Sequence, residues 1–107
     1  MIDIKTYQQQ AGVTANTTLP PKIRLAVAGL GLAGEAGEVA DHIKKHIGHD
    51  HTLDRDRVSK ELGDVLWYVA EICTVLGFDM AEVAGQNLAK LGKRYPNGFD
   101  SERSRNR

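Results

Sequence analysis

The sequence predicts an all-α protein, an antiparallel bundle of about four helices, and three observations carry that prediction. Apolar residues recur at helical spacing through two long stretches, 21–46 and 54–76. Helix breakers and caps stand at the ends of those stretches: Pro20-Pro21, Gly77 and Pro96-Asn97-Gly98. The short turn between the long stretches makes them antiparallel neighbours. A chain of 107 residues is one domain. It builds only a modest core alone, and small all-helical chains often complete their cores by oligomerising.

Residues 3–11 carry a weak helical pattern, with Ile4, Tyr7 and Ala11 on one side. Gly12 to Leu19 is polar and rich in Thr and Asn, a loop leading to a helix that tolerates proline in its first turn. In the second helix, Leu25, Leu32, Ala36, Val39, Ile43 and Ile47 fall on one arc at ~100° per residue. Glu35, Glu38 and His42 lie on the flank beside that arc. Gly29, Gly31, Gly34 and Gly37 would each weaken an isolated helix by about 1 kcal/mol against Ala. Their recurrence points to close approach by a neighbouring helix, a ligand or a metal shell.

Ile47 to Thr52 forms the turn. In the third helix, Val58, Val65, Leu66, Val69, Ile72, Cys73 and Leu76 make the apolar stripe, and Glu61 and Asp64 border it with Tyr68 beside them. Gly77 caps this helix, and Asp79 with Glu82 reads as a capping box for a fourth, about 79–94. The fourth helix presents Met80, Val83, Ala84, Asn87, Leu88 and Leu91, with Lys90, Lys93 and Arg94 near its end. Residues 99–107 read as an extended or disordered basic arm, so the domain is taken as 1–99 and the tail as 100–107.

The bulk properties narrow the function. The formal net charge is zero, which argues against a nucleic-acid coat or a polybasic membrane anchor. That zero hides an asymmetry: from Lys90 onward six Lys/Arg face two acids, so the body is acidic and the end basic. Such a division suits a ligand bearing both metal and phosphate. The single cysteine, Cys73, reads as a buried small hydrophobe. The N-terminus lacks a signal-peptide layout, and the longest apolar run, Leu25 to Ala33, is too short to span a bilayer. A cytoplasmic location is expected.

The chemistry centres on two carboxylate pairs, Glu35/Glu38 and Glu61/Asp64. Residues three apart share a helix face, and both pairs occupy the same flank of their apolar stripes. Two antiparallel helices then let the pairs face each other across a groove. One such pair alone is ordinarily a solvated helix face, but two matched pairs ask for a cation. Hard oxygen donors without Cys suit Mg²⁺ or Mn²⁺.

Other residues allow two readings each. Lys45 lies near the acid flank, and Lys90, Lys93 and Arg94 either hold phosphate or complement a helix dipole. Asn87, on an otherwise apolar face, would need partners if buried. Trp67 and Tyr68 either stack on a base or pack against a helix. His42 and His46 are four apart, but the lack of further close ligands weighs against a transition-metal pair. His49 and His51 read as loop residues.

Taken together, Gly-Leu-Ala-Gly-Glu-Ala-Gly-Glu-Val at 31–39, Lys44-Lys45 and Lys-Glu-Leu-Gly-Asp-Val-Leu-Trp-Tyr at 60–68 resemble the MazG-like nucleoside triphosphate pyrophosphohydrolases. That family's pattern is E-x-x-E, a variable spacer and E-x-x-D, filled here by Glu35, Glu38, Glu61 and Asp64. The similarity continues through 87–91 and 94–99, and Tyr7-Gln8 and 101–107 also look like short single-domain members. The resemblance implies an all-α bundle assembled as a homodimer or homotetramer, with Mg²⁺ on the four acids. It implies hydrolysis of an NTP or dNTP between the α and β phosphates, giving NMP and pyrophosphate. By the same carry-over Lys45, Asn87, Lys90, Arg94 and Tyr95 contact substrate. Aromatic base-pocket residues do not map cleanly, so base choice stays open.

The leading expectation is therefore a nucleotide-pool house-cleaning enzyme in which Glu38, with Glu35, activates water. No nucleic-acid or membrane partner is expected. A non-catalytic helical adaptor whose acid groove binds a cation or basic peptide is the alternative from another class. A di-iron bundle wants Glu-x-x-His pairs, which neither glutamate pair supplies.

Overall fold

The computed structural model describes residues 1–106. Five helices follow one another: α1 (Ile4–Gly12), α2 (Pro21–Gly48), α3 (Arg55–Leu76), α4 (Met80–Arg94) and α5 (Ser101–Arg105). The all-α class and the two long helices stand as the sequence predicts. Residues 101–105, read as an extended or disordered arm, instead form α5. The local reason is Asp100, whose side chain accepts hydrogen bonds from the Glu102 and Arg103 amides and so starts a turn.

Caps set the other boundaries as well. Asp3, Asp54 and Asp79 accept from the amides of Thr6, Arg57 and Ala81 at the starts of α1, α3 and α4. Helix α2 begins instead with proline in its first turn. Gly77 ends α3 in the left-handed region at φ 76°, with its amide on Thr74 O and the Phe78 amide on Cys73 O. The α2–α3 turn is held by the His49 and His51 amides on Lys45 O and by His46 Nδ1 against His51 O at 2.8 Å.

The frame is the antiparallel α2–α3 pair. Residues 25, 28, 32, 35, 39 and 42 of α2 turn inward at alternating steps of three and four, as do 58, 61, 65, 68, 72 and 75 of α3. The seam between them is therefore apolar except where Glu35, His42, Glu61 and Tyr68 interrupt it. This places Glu35 and Glu61 closer to the core than expected, because the packing stripe is rotated from the arc chosen by hydrophobicity. Ala36 and Ile43 face outward, and Ile47 is 77% exposed.

Of the four glycines in mid-α2, only Gly31 marks a close approach. A Cβ there would overlap the Tyr68 ring, whereas Gly29, Gly34 and Gly37 have open space where a Cβ would point. Of the neighbouring-helix contacts expected along the glycine run, only the one at Gly31 is present.

Helix α1 lies along the other side of α3, with Tyr7 and Ala11 packed on Ala70, Cys73 and Met80. Trp67 Nε1 donates to Ala11 O at 3.2 Å and to Thr14 Oγ1 at 2.9 Å, fastening the end of α1. Gln8 fastens its middle: Nε2 donates to Thr74 Oγ1 and Phe78 O, and Oε1 accepts from the Met80 amide at 2.8 Å. One amide thus joins α1, the end of α3 and the start of α4. Cys73 is buried, as expected.

Candidate metal and nucleotide site

The acid pairs meet midway along the α2–α3 seam. Helical spacing of three puts Glu35 and Glu38 on adjoining turns of α2, and the antiparallel return does the same for Glu61 and Asp64. Glu35 and Glu61 sit half-buried in the seam, while Glu38 and Asp64 stand at its solvent edge. Desolvation, then the negative charges of Asp64, Glu61 and Glu38, push the Glu35 carboxyl above its ordinary value. The four carboxylates therefore share one electrostatic neighbourhood.

Glu61 is the deepest of them, its side chain only 12% exposed. His42 Nε2 lies 3.3 Å from Oε1 and 3.1 Å from Oε2, and Arg57 Nε is 3.7 Å from Oε1. The contact with Oε2 is close but misdirected for a hydrogen bond, so Oε2 is a buried acceptor without a partner. Ligand atoms of Glu38, His42 and Glu61 lie within 4.8 Å of one another. An orphaned carboxylate oxygen beside a half-desolvated cluster of like charges fits a divalent cation; it is a poor arrangement for acids that serve only as a solvated face.

A cavity of about 340 Å³ opens beside this cluster, lined by Glu35, Asp64, Trp67 and Tyr68. Trp67 and Tyr68 meet edge to face at 5.1 Å and also wall a second, smaller cavity of about 120 Å³. The second cavity is completed by Asn16, Leu19, Val27, Ala28 and the Arg24–Glu71 pair. That pair is two-pronged: Arg24 Nη2 to Glu71 Oε1 at 2.7 Å and Nε to Oε2 at 3.2 Å, with Glu71 only 7% exposed. Tyr7 is near enough to feel Asp64; burial first, then that charge, raises its hydroxyl pKa.

The other expected substrate residues lie elsewhere in the chain. Lys45 pairs with Asp41 at 2.7 Å, and Lys44 reaches the same carboxylate at 3.4 Å. Asn87 is exposed, so the expectation of a buried amide needing partners does not apply within one chain. Lys90 and Arg94 line a cleft of about 690 Å³ with Lys93, Asp100, Glu102, Arg103 and Asn106. Tyr95 stacks near it, 5.6 Å from the Phe99 ring and 5.8 Å beneath the Arg94 guanidinium. This basic cleft shares no lining residue with the acid cavity.

His42 and His46 do not converge as a pair: one meets Glu61, the other the turn. Three features escaped the sequence reading. His42 belongs to the acid cluster, and its place four residues after Glu38 on the same flank was the available signal. Arg24–Glu71 spans 47 residues, so no local spacing announces it. Gly31 beside Tyr68 is visible only once the helices are paired.

The chain is similar to known proteins over most of its length. No solved structure matches the chain significantly. The "Gene 37 protein" of Mycobacterium phage L5 is 38% identical over 78 residues, covering 69% of this chain and 68% of that protein. The model of the MazG nucleotide pyrophosphohydrolase domain matches residues 27–99, which contain both acid pairs and all of the seam except Leu25. On that match, spanning well over half its length, the chain belongs to the MazG nucleotide pyrophosphohydrolase domain family.

Proposed function

We propose that this protein hydrolyses nucleoside triphosphates, ribo or deoxy, at the α–β phosphate bridge in a divalent-metal-dependent reaction. One water is added across the anhydride, giving NMP and pyrophosphate, in the manner of a nucleotide-pool house-cleaning enzyme. The observation that carries the proposal is the convergence of Glu35, Glu38, Glu61 and Asp64 beside an aromatic-walled cavity.

Glu35, Glu38, Glu61 and Asp64 would hold Mg²⁺, or Mn²⁺ in its place. A bound cation supplies neutralisation of the triphosphate and polarisation of its phosphoryl oxygens. Glu38, at the solvent edge, orients the attacking water and takes its proton; Glu35, with its affinity for protons raised by desolvation and then by its neighbours' charge, is positioned to share that task. Trp67 and Tyr68 offer ring faces and edges to a base in the adjoining cavity.

The basic cleft of Lys90 and Arg94, with Asn87 and Tyr95 on the same stretch, holds phosphate; Lys45 contributes at the acid side. Since that cleft and the acid cavity are separate within one chain, a homodimer or homotetramer is the assembly that joins them. Exposed apolar side chains support such an assembly: Ile23, Val27 and Leu30 on α2, and Leu62 and Leu66 on α3. No helix among the described residues is long and apolar enough to cross a membrane, in keeping with the proposed cytoplasmic location.

The test is a panel of NTPs, dNTPs and modified nucleotides assayed with Mg²⁺ for pyrophosphate and for phosphate. Pyrophosphate release from at least one nucleotide is expected. Phosphate alone would move the cut to the β–γ bridge, and neither product would favour a binding module.

A further inference from the structure

We propose that His42 is a nitrogen ligand of the metal site, through Nε2, and that it tunes the site towards Mn²⁺ and similar transition ions over Mg²⁺. The inference rests on the metal reading above and adds a donor outside the four-carboxylate motif. Four features of the chain support it.

First, His42 occupies the seam, one turn after Glu38 and directly opposite Glu61. Its side chain is 19% exposed, so the ring is held by packing and is not swinging in solvent. Second, the spacing is that of a coordination shell. Two donors ~2.1 Å from one ion on adjacent octahedral vertices stand ~3.0 Å apart. His42 Nε2 stands 3.1 and 3.3 Å from the two Glu61 oxygens.

Third, Glu61 Oε2 is buried and accepts no hydrogen bond, the His42 ring meeting Oε1 instead, so one oxygen is left over for a further ligand. A Glu38 oxygen lies close to both, ligand atoms of all three residues standing within 4.8 Å of one another. Fourth, Arg57 already gives Glu61 a cationic neighbour at 3.7 Å, so charge balance alone does not require His42.

The chemical consequence follows from donor type. Mg²⁺ strongly prefers oxygen and retains water, whereas imidazole suits later divalent ions. A mixed set of carboxylates and one imidazole therefore binds Mn²⁺ or Co²⁺ with an advantage that an all-oxygen set lacks.

The experiment loads the protein with Mn²⁺ and measures pulsed electron-spin-echo modulation from directly bound ¹⁴N. Wild type is expected to show imidazole ¹⁴N coupling, His42→Gln to lose it, and His46→Gln to keep it. Calorimetric titration of Mn²⁺ and Mg²⁺ is expected to show the Mn²⁺/Mg²⁺ affinity ratio falling at least about tenfold in His42→Gln. Circular-dichroism melts establish that both variants are folded. A variant that fails to fold is replaced by His42→Asn, read in the same way.

Mn²⁺ bound by wild type without ¹⁴N coupling, or coupling that persists in His42→Gln, overturns the proposal while leaving the carboxylate site standing. Mn²⁺ binding unaltered by Glu61→Gln overturns the metal reading itself, and this proposal with it.

Discussion

Two charged clusters bridge α2 and α3, and they are built in opposite ways. Arg24 and Glu71 form a closed unit in which both carboxylate oxygens have a guanidinium partner. Glu35, Glu38, Glu61 and Asp64 form an open unit: one oxygen is buried without a hydrogen bond, and desolvation, then its neighbours' charge, pushes the Glu35 carboxyl above its ordinary value. A fold that can satisfy one buried carboxylate so fully is capable of satisfying others. The contrast sets a pair that locks the helices beside an open cluster of the kind that the proposed divalent cation would complete.

The sharpest way to break the comparison is to neutralise one member of each cluster. Glu38→Gln is expected to lower pyrophosphate release by about 10³-fold, the scale of a lost general base, while the melting curve stays unchanged because Glu38 is exposed. Arg24→Ala should do the reverse to stability. It leaves Glu71 charged and buried, which costs about 3–5 kcal/mol, read from urea unfolding. Replacing both partners, Arg24→Met with Glu71→Leu, should recover most of that loss. A cluster that behaved alike under both tests would erase the distinction.

The glycines sharpen the same division between packed and open positions. Gly31→Ala drives a methyl into the Tyr68 ring and should cost about 1–3 kcal/mol. Gly34→Ala, one turn along and facing open space, should add up to about 1 kcal/mol. Comparing the two unfolding midpoints checks both values.

A subtler effect concerns pH. The folded Glu35 carboxyl holds its proton to higher pH than the unfolded one, whose ordinary value is 4.5. Folded protein then binds more protons across that window, so stability falls as pH rises from about 4.5 through the raised value. In metal-free protein Glu35→Gln should flatten this slope and raise the neutral-pH melting temperature. Melts across the same window read it directly. Smallest of all is Asp41→Asn, which breaks exposed pairs with Lys44 and Lys45 and should leave the melting temperature where it was.

Much of this was legible in the sequence because it is local. Helix α3 follows from its periodicity, its Asp54 cap and its Gly77 stop, each a short-range effect of backbone chemistry. The acid quartet followed from spacing on two helices with one short turn between them. What escaped is what pairing decides. Hydrophobicity placed the α2 stripe through Ile43 and Ile47, but the bundle turns Glu35 and His42 into the half-buried seam and leaves Ile47 outside. Asn87 looked like a buried amide because its helix face is apolar, yet within one chain that face meets solvent. The α5 turn was hidden by the charged composition of 101–105, although Asp100 supplied the cap.

The central claim, that the open cluster is a divalent-metal site and the closed one is not, is tested most directly by thermal unfolding with and without millimolar Mn²⁺ or Mg²⁺. Metal at ~100 times its dissociation constant adds about 2.7 kcal/mol, roughly 10 °C or more for a domain this size. Wild type and the Arg24→Met, Glu71→Leu protein should both show that rise, and Glu61→Gln should lose it. A rise of equal size in Glu61→Gln, or none in wild type, would contradict the account.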